Sequence, residues 1–436
     1  MRTLAEWLAL HEAVHPQSID MGLARVGIVA RALGLTHPAA CAVITVAGTN
    51  GKGSVAAHLE ALLAVRGART GLFTSPHFVR YNERIRVDGV EADDAALVAA
   101  FERIEQARGR TTLTFFEYNT LAALLIFRER GVQAAVLEVG LGGRLDATNL
   151  IDADVAVLAS VGFDHRDWLG DTLEEIGREK AGIFRAGRAA VLGSAEMPAT
   201  VFAAIASLGA RAVVAGTDFS WLEHATCWDY RGLEHAFAGL PPSALAGAIQ
   251  YRNAATAFAA MEALALDPAP SPAVRALMPR LAAFDQDAAA RALRGVQLAG
   301  RFQIVPGAVE WILDIAHNEP AARVLARQLA ARALPAPGGR TWAVIGVLAD
   351  KDAAAIGVAL GGVIDQWIVC ALPGPRGGSA QATAQRLGLE GRAVQLADSV
   401  RAGCELARAA ARPGDRVVVC GSLHTVGPAL KWLQIY

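Results

Sequence analysis

The sequence lacks an excess of charge of either sign. Its 41 Lys and Arg residues nearly cancel 42 Asp and Glu residues, which leaves a formal net charge of -1 over 436 residues. Proteins that track nucleic-acid phosphates concentrate Lys and Arg on one surface, so this balance argues against nucleic acid as a partner. It also argues against a disordered chain, because 53% of the residues are hydrophobic.

Long apolar runs are also missing. A helix that crosses a bilayer needs roughly 18 to 20 consecutive apolar residues. The richest stretch, residues 121–127, is much shorter and is followed directly by Arg128, Glu129 and Arg130. Charged side chains also interrupt the N-terminal segment, where a secretory signal peptide has an unbroken apolar run. We therefore expect a cytoplasmic protein with no membrane partner.

Cysteine is scarce, and its positions show no pairing. The five cysteines are far apart in the sequence and form no CxxC motif, which argues against a disulfide framework and against a structural zinc site. A reducing compartment suits such a chain, with most of the thiols acting as small core residues. The five positions are Cys41, Cys227, Cys370, Cys404 and Cys420.

The sequence does contain a repeated alternation of apolar runs and helical patterns. A β-branched run at 41–47 is followed by a glycine-rich turn and by helical apolar spacing at 55–65. Near-continuous apolar runs at 134–139 and 155–161 are typical of strands that are covered on both faces. This alternation predicts an α/β protein whose sheets are mostly parallel, with helices on both faces.

Two domains fit the length and the pattern. We predict an N-terminal P-loop-type domain with a mostly parallel sheet over residues 1–294, and a smaller C-terminal Rossmann-like α/β domain over 295–436. The boundary is placed where the helical pattern stops, near 288–300. Residues 222–242 are irregular and rich in aromatics, which leaves an antiparallel insertion and a long loop as alternatives. A hairpin is predicted around Pro306-Gly307.

A glycine-rich loop follows the first predicted strand and opens a helix. It reads GTNGKGS over residues 48–54. Glycines allow backbone N–H groups to approach phosphate oxygens, and the helix N-terminus supplies positive potential. Lys52 would neutralise phosphate charge, and Ser54 would reach a bound magnesium ion. The spacing differs from the common GxxxxGK[ST] motif, so a plain glycine-rich turn is the alternative.

Polar residues follow three other predicted strands. Glu138 ends one strand, His165 follows the next, and Ser75 and His77 follow a third. The carboxyl ends of strands in open α/β sheets are where ligands bind, so these side chains are expected to face the phosphate loop. Oxygen and imidazole ligands suit a divalent ion that also binds phosphate and water. A structural hydrogen-bonding role is the alternative for each histidine.

Together, these and other segments resemble one enzyme family. The chain resembles the folylpolyglutamate synthases, in particular the bifunctional dihydrofolate synthase/folylpolyglutamate synthases, which belong to the Mur ligase superfamily of ATP-dependent amide-forming enzymes. The segments occur in order along nearly the whole chain: GTNGKGS, TSPHFVRYNERI, LEVGLGGRLDATN, DHRDWLG, REKAGIFR, AGRFQI, DIAHN and CGSLHTV. LGGRLDATN and DHRDWLG are more specific to the folate branch than the phosphate loop is.

The resemblance implies an ATP and metal site. Two magnesium ions would be held by Ser75, Glu138 and His165, with Glu138 bridging. Lys180, in EKAGIF, matches a position that carries a carbamylated lysine in the family; from the sequence alone it would be a solvated helix lysine. The matching nucleotide contacts are Thr49, Asn50, Gly51, Lys52, Gly53, Ser54, Asn253, Arg301, Asp314 and His317. Lys52, Lys180 and His165 are the residues expected to be catalytic.

The resemblance also implies a pterin site built from three segments. The first segment corresponds to the dihydropteroate loop of the bifunctional enzymes. An aromatic ring can stack on a flat heterocycle, and a carboxylate can bind its amino and ring N–H groups. Core packing is the alternative for the two phenylalanines. The three segments are Ile19-Asp20-Met21, Thr114-Phe115-Phe116-Glu117 and Leu145-Asp146-Ala147.

The expected reaction is ATP-dependent addition of L-glutamate to dihydropteroate and to the γ-carboxylate of reduced folates through an acyl phosphate. A monomer is expected. A folylpolyglutamate synthase without the dihydropteroate activity is the main alternative.

Three other classes of protein fit the sequence less well. A cell-wall Mur ligase would carry a further domain ahead of the phosphate loop. A P-loop switch or kinase would not need the second domain with Arg301 and Asp314, and a non-catalytic binding module would not need the full set of charged residues.

Overall fold

The computed structural model describes residues 2–17, 19–35, 41–282 and 284–436. The chain forms two compact units. The first unit comprises residues 1–77, 81–244 and 251–296, and the second comprises 78–80, 245–250 and 297–436. No helix in these described ranges combines the length and apolarity required to cross a bilayer.

The first unit contains an eight-stranded sheet. Its order is β4-β3-β2-β5-β1-β6-β7-β8. The pairs from β2 through β5, β1, β6 and β7 to β8 are parallel, whereas β3 pairs antiparallel with β2 and with β4. The strands are β1 Ala42–Ala47, β2 Thr70–Phe73, β3 Ile85–Val87, β4 Val90–Glu91, β5 Ala134–Glu138, β6 Val155–Leu158, β7 Ala189–Leu192 and β8 Arg211–Val214.

Helices cover both faces of this sheet. In β1, Ile44 and Val46 pack into one apolar core and Val43 into another, as the alternation of side chains along a strand requires. The prediction of parallel strands buried on both faces is therefore confirmed. The helices of this part are α1 Leu4–Val14, α2 Ala24–Ala32, α3 Lys52–Val65, α4 Asp94–Arg108, α5 Phe115–Glu129, α6 Arg166–Leu169, α7 Leu173–Ala181, α8 Ala199–Leu208, α9 Ile249–Ala265, α10 Pro272–Leu281 and α11 Gln286–Gly295.

The aromatic-rich segment after β8 forms a separate three-stranded sheet. Its strands are β9 Ser220–Glu223, β10 Trp228–Arg231 and β11 Ala236–Leu240, and both pairs are antiparallel. Trp228 is fully buried, and its ring stacks at 5.6 Å from the ring of Phe258 in α9. Of the two alternatives, the antiparallel insertion is confirmed.

The second unit contains a six-stranded sheet of order β12-β13-β17-β14-β15-β16. The predicted hairpin is present, because β12 pairs antiparallel with β13, and the remaining pairs are parallel. The strands are β12 Gln303–Val305, β13 Glu310–Leu313, β14 Thr341–Ile345, β15 Gln366–Cys370, β16 Val394–Ala397 and β17 Arg416–Cys420. The helices are α12 Glu319–Ala331, α13 Ala353–Leu360, α14 Ala380–Arg386, α15 Val400–Ala410 and α16 Leu423–Leu433.

The sequence reasoning missed one helix. The helical pattern was expected to stop near 288–300 and α11 does end there, at Gly295, but α11 itself was not predicted. The Asp285 side chain caps its N-terminus by accepting from the Ala288 N–H at 2.8 Å. Ala288, Ala289, Ala292 and Leu293 form its buried stripe. Three of these four residues are alanines, so the apolar face is narrow and the charged side chains around it dominate the sequence pattern.

Candidate active site

The phosphate loop lies at the carboxyl end of β1, between Ala47 and the first residue of α3. Gly51 has a φ of 86°, a left-handed conformation that favours glycine, and it precedes the helix without a side-chain cap. The N–H groups of the first helical turn have no carbonyl partner within the helix. The loop therefore presents an uncapped helix N-terminus, which is a suitable site for a phosphate group.

Main-chain and hydroxyl contacts fix the shape of this loop. The Thr49 hydroxyl donates to the Gly162 carbonyl and accepts from the Gly162 N–H, both at 3.0 Å. The Asn50 N–H donates to the Ser160 hydroxyl, which donates in turn to the Asn50 carbonyl. The loop is thus bound to the segment that follows β6. The hydroxyl of Thr49, a predicted nucleotide contact, therefore has a structural role in the contact with Gly162.

Two lysines converge on one carbonyl of the loop. The Lys52 Nζ donates to the Gly48 carbonyl at 2.9 Å and to the Thr49 carbonyl at 3.3 Å. The Lys180 Nζ, near the end of α7, donates to the same Gly48 carbonyl at 3.3 Å. Lys180 is only 5% exposed. Burial, and then the positive charge of Lys52, lower its pKa to about 7. The prediction of a solvated lysine from the sequence alone is therefore wrong.

These lysines line a cavity together with the predicted metal ligand His165. The other wall of the cavity is the segment 139–142, which follows β5. His165 has a left-handed backbone, with φ of 51°, and its N–H donates to the Asp164 carboxylate at 2.9 Å. Strand ends, the phosphate loop and a buried lysine therefore meet at one edge of the sheet, as the position of ligand sites in α/β folds predicts.

Glu138 and Ser75 are neighbours at the same edge. The Ser75 N–H donates to Glu138 Oε2 at 3.2 Å. Glu138 is only 4% exposed, so its carboxyl group lies inside the protein at this edge. Within the described residues, no group of three or more His, Cys, Asp and Glu side chains is arranged to hold a metal. A divalent ion bound here would therefore complete its shell with hydroxyl, phosphate and water oxygens, which is usual for magnesium.

Arg84 is a buried cation at this edge that the sequence reasoning missed. It is 7% exposed, its Nε donates to His77 Nδ1 at 2.7 Å, and it attracts the negative charge of Glu138. Because an arginine Nε–H only donates, His77 Nδ1 must be the acceptor. Burial lowers the pKa of Arg84. Its sequence signal was its position in TSPHFVRYNERI, a segment that the family resemblance includes without implying a role for Arg84.

The three predicted pterin segments meet at residues 140–142. A Cβ added to Gly140 would lie 2.6 Å from the Phe116 ring, so that ring packs directly on the Gly140 backbone. Asp146 accepts from the N–H groups of Gly140 and Leu141 at 3.1 and 2.9 Å. The Met21 Cε would lie 3.2 Å from a Cβ at Gly142. Ile19 and Leu145 are half-buried and Ala147 is buried.

Several members of these segments have structural partners. Thr114 and Glu117 form the capping box of α5, in which the Thr114 N–H donates to Glu117 Oε2 at 2.7 Å. Asp146 also accepts from Thr148, so it shapes its own loop, and burial raises its pKa. The Phe115 ring lies beneath the Arg84 guanidinium at 5.4 Å. The sequence reasoning did not predict these structural contacts of Thr114, Glu117 and Asp146.

Asn253 also approaches the phosphate loop. It lies in α9, is 3% exposed, and its Oδ1 would be 3.0 Å from a Cβ on Gly51. The structure therefore brings this predicted nucleotide residue to the loop. Gly53 and Ser54 are buried in the first turn of α3, where the Ser54 carbonyl accepts from His58 Nδ1 at 2.7 Å.

The second unit holds the other three predicted nucleotide residues. Asp314 follows β13, and its carboxylate accepts from the N–H groups of Phe302 and Ala316 at 2.8 and 3.0 Å. Burial raises the pKa of Asp314, while the nearby Arg301 opposes that rise. His317 is half-buried in the turn that leads to α12. Asp314 thus joins the segment before β12 that carries Arg301 to the segment after β13 that carries His317.

Models of two protein families match most of the chain. The Mur ligase middle domain matches residues 46–261, and the Mur ligase glutamate ligase domain matches 300–423. The phosphate loop lies in the first match, and Asp314 lies in the second. The parallel sheet with its phosphate loop and the second α/β unit therefore define a Mur ligase, and the predicted fold class is confirmed.

Individual relatives identify the family within the Mur ligases to which the chain belongs. The chain is 43% identical to the dihydrofolate synthase/folylpolyglutamate synthase of Escherichia coli, over 98% of this chain and 95% of the relative. It superposes with a TM-score of 0.90 on E. coli FolC in complex with DHPP and ADP, at 40% identity, covering 100% of this chain and 98% of the other. The chain belongs to the dihydrofolate synthase/folylpolyglutamate synthase family, and the predicted resemblance is confirmed.

A further relative carries a metal and an amino acid. This bifunctional folylpolyglutamate synthase/dihydrofolate synthase has Mn, AMPPNP and L-glutamate bound. It matches with a TM-score of 0.88 at 38% identity, covering 100% of this chain and 98% of that one.

Proposed function

We propose that this chain is an ATP-dependent ligase that joins L-glutamate to dihydropteroate and to the γ-carboxylate of reduced folates. The observation that carries the proposal is the convergence of Lys52, Lys180 and His165 around the phosphate loop, beside the segment 140–142 where the three pterin segments meet. Phosphate and pterin substrates would thus lie side by side. The match with bifunctional relatives along the whole chain supports the same reaction.

The chemistry proceeds in two displacements. A carboxylate oxygen of the pterin substrate attacks the γ-phosphorus of ATP, the bond to the ADP oxygen breaks, and an acyl phosphate forms. The neutral glutamate amine then attacks the acyl carbon, and phosphate leaves with the oxygen that came from the carboxylate. The amine proton is lost to solvent. The protein contributes orientation and charge neutralisation, with Lys52 placed for the phosphates.

Magnesium is the metal we propose, as two ions held by Ser75, Glu138 and His165. The fit rests on the buried Glu138 carboxylate, on the neighbouring Ser75, and on His165, which lines the cavity beside the phosphate loop. Hard oxygen ligands and a neutral imidazole suit such an ion. When bound, the metal would neutralise negative charge on the phosphates.

A carbamate on Lys180 is part of the proposal. Carbamylation needs an unprotonated amine, and burial holds the pKa of Lys180 near 7, about where the neutral form becomes available. We expect protein incubated with 13C-bicarbonate to show a carbamate carbon signal that Lys180→Met lacks. Absence of this signal from the wild-type protein at a pH above 8 would contradict the modification.

The remaining assignments follow the family match. We propose that Asn253, Arg301, Asp314 and His317 bind the nucleotide. Residues 1–294 would supply the ATP and pterin sites, and residues 295–436 the glutamate-ligase part. The three pterin segments would bind dihydropteroate and reduced folates, and the protein would act as a monomer. Asn253 has direct geometric support in its approach to the phosphate loop.

The decisive assay supplies purified protein with ATP, magnesium, L-glutamate and either dihydropteroate or tetrahydrofolate. We expect an amide product from both substrates. A product from tetrahydrofolate but not from dihydropteroate would indicate a folylpolyglutamate synthase without the dihydropteroate activity. The Ile19–Met21 segment, which resembles the dihydropteroate loop of the bifunctional enzymes, favours both activities. No product from either substrate would exclude the proposed function.

A further inference from the structure

The segment 19–21 lies between α1 and α2 and has no helix or strand of its own. Segments of this kind need side-chain contacts to hold one conformation, because their backbone lacks the regular ladder of hydrogen bonds. The contacts that hold this one involve Asp20. Its side chain is about one third exposed, and both of its side-chain contacts fall on the same oxygen, Oδ2.

Arg25, in the first turn of α2, makes the stronger of these contacts. Its Nη1 lies 2.6 Å from Asp20 Oδ2, and its Nη2 donates to the Asp20 backbone carbonyl at 2.7 Å. The guanidinium thus binds both the side chain and the main chain of Asp20. A planar group with several fixed donors suits such a contact, and lysine offers only a point charge.

The same guanidinium reaches the second pterin segment. Arg25 Nη2 lies 3.3 Å from Glu117 Oε1, and the other oxygen of Glu117 accepts from the Thr114 N–H in the cap of α5. Glu117 is only 3% exposed. Both of its oxygens are therefore engaged inside the protein, and Arg25 joins residues that are 92 positions apart in the sequence.

His15 closes the network from the other side. Its Nε2 lies 3.1 Å from Asp20 Oδ2, and its Nδ1 lies 3.0 Å from the Thr112 hydroxyl. The side chain of His15 is only 8% exposed. Asp20 is consequently held between the end of α1, the start of α2 and the segment that leads into α5.

We propose that Arg25 is a positioning residue for the pterin substrate: it fixes the 19–21 segment against the N-terminus of α5. This proposal rests on the proposed function, because it takes residues 19–21 and 114–117 as the pterin site. Glu117 then supports Arg25 instead of contacting the pterin. Met21, which packs at Gly142, is carried into place by the anchored Asp20.

The test compares Arg25→Ala and Arg25→Lys with wild type. Removing the guanidinium frees the segment and leaves the buried Glu117 without its cation. We expect the KM for dihydropteroate and the KM for tetrahydrofolate to rise at least about tenfold. The kcat at saturating pterin and the KM for ATP should stay within about twofold, since the phosphate loop is untouched. Lysine keeps the charge but loses the paired donors, so Arg25→Lys should restore part of the affinity.

Arg31→Ala is the matched control. Arg31 lies in the same helix, is exposed, and the substitution removes the same charge and side chain. It should leave every constant unchanged. Thermal unfolding confirms that each variant is folded, and Arg25→Met, which keeps the length and apolar stem, replaces Arg25→Ala if the alanine variant does not fold.

Three results would overturn the inference. One is an unchanged or lower KM for the pterin substrates in folded Arg25→Ala. A lower KM would mean that the freed carboxylates bind pterin directly. Another is an equal loss of ATP affinity, and the third is the same effect in Arg31→Ala. Failure of the proposed function is separate, because it would appear as no ligation by the wild-type protein.

Discussion

The phosphate loop and the 19–21 segment are ordered by different means. The loop is shaped by local geometry, with a left-handed Gly51 and an uncapped α3, and by main-chain and hydroxyl hydrogen bonds to the strand-end segment 160–162. The 19–21 segment depends on contacts between side chains: Asp20 with His15 and Arg25, and Arg25 with Glu117, which is 92 positions away. We therefore expect the phosphate loop to keep its shape without the Lys52 side chain, whereas the 19–21 segment should lose its shape without Arg25.

The largest effect is expected from removal of the Lys52 side chain in the phosphate loop. Lys52→Ala should lower turnover by about 10²–10³-fold, because the charge placed for the phosphates is lost. The melting temperature should change little, since the loop keeps its main-chain contacts. Product formation and thermal unfolding measure the two quantities, and Lys431→Ala, at an exposed site in α16, is the control. A large fall in melting temperature would break the comparison.

The substitution Glu138→Gln should lower turnover almost as strongly. The amide keeps the shape and can still accept from the Ser75 N–H, but it loses the negative charge that suits a divalent ion. We expect turnover to fall by about 10²-fold or more. Titration of Mn²⁺ into the protein with AMPPNP, followed by electron paramagnetic resonance, should show weakened metal binding. Unchanged Mn²⁺ affinity would remove Glu138 from the metal site.

Lys180→Met should lose activity but gain stability in buffer free of carbon dioxide. Burial lowers the pKa from 10.5 to about 7 in the folded protein. The cost of burying the ammonium is therefore complete below pH 7 and declines between pH 7 and 10.5, because there only the unfolded chain holds the proton. We expect a gain in unfolding free energy of about 2–4 kcal/mol at pH 6.5 and a smaller gain at pH 9.

Denaturant unfolding of both proteins at the two pH values measures this difference. A gain that grows with pH would contradict the lowered pKa of Lys180. The result would also sharpen the comparison, since it would measure the cost in stability that the buried Lys180 places beside the phosphate loop.

The smallest effect concerns the place where the pterin segments meet. Gly140→Ala would put a Cβ 2.6 Å from the Phe116 ring, and relieving that clash should cost about 1–3 kcal/mol. We expect a KM for dihydropteroate that is raised about tenfold and an unchanged KM for ATP. Gly295→Ala, in α11 with open space around its Cβ position, should be neutral or slightly stabilising. An equal rise in both KM values would show that the two sites are not separable.

The sequence was informative wherever a structure depends on local residues. The strand, glycine turn and helix of the phosphate loop follow from adjacent positions, and so do the buried parallel strands. The contact of Arg25 with Glu117 and the attraction between Arg84 and Glu138 could not be predicted, because the two pairs are 92 and 54 positions apart and only the fold brings them together. For the same reason the pattern could not show that Lys180 is buried.

The most direct test follows an oxygen atom through the reaction. Dihydropteroate labelled with 18O in its carboxylate is supplied with ATP, magnesium and L-glutamate, and the released phosphate is analysed by mass spectrometry. Formation of an acyl phosphate predicts one 18O atom in the phosphate for each amide bond formed. Amide formation with unlabelled phosphate would contradict the proposed reaction.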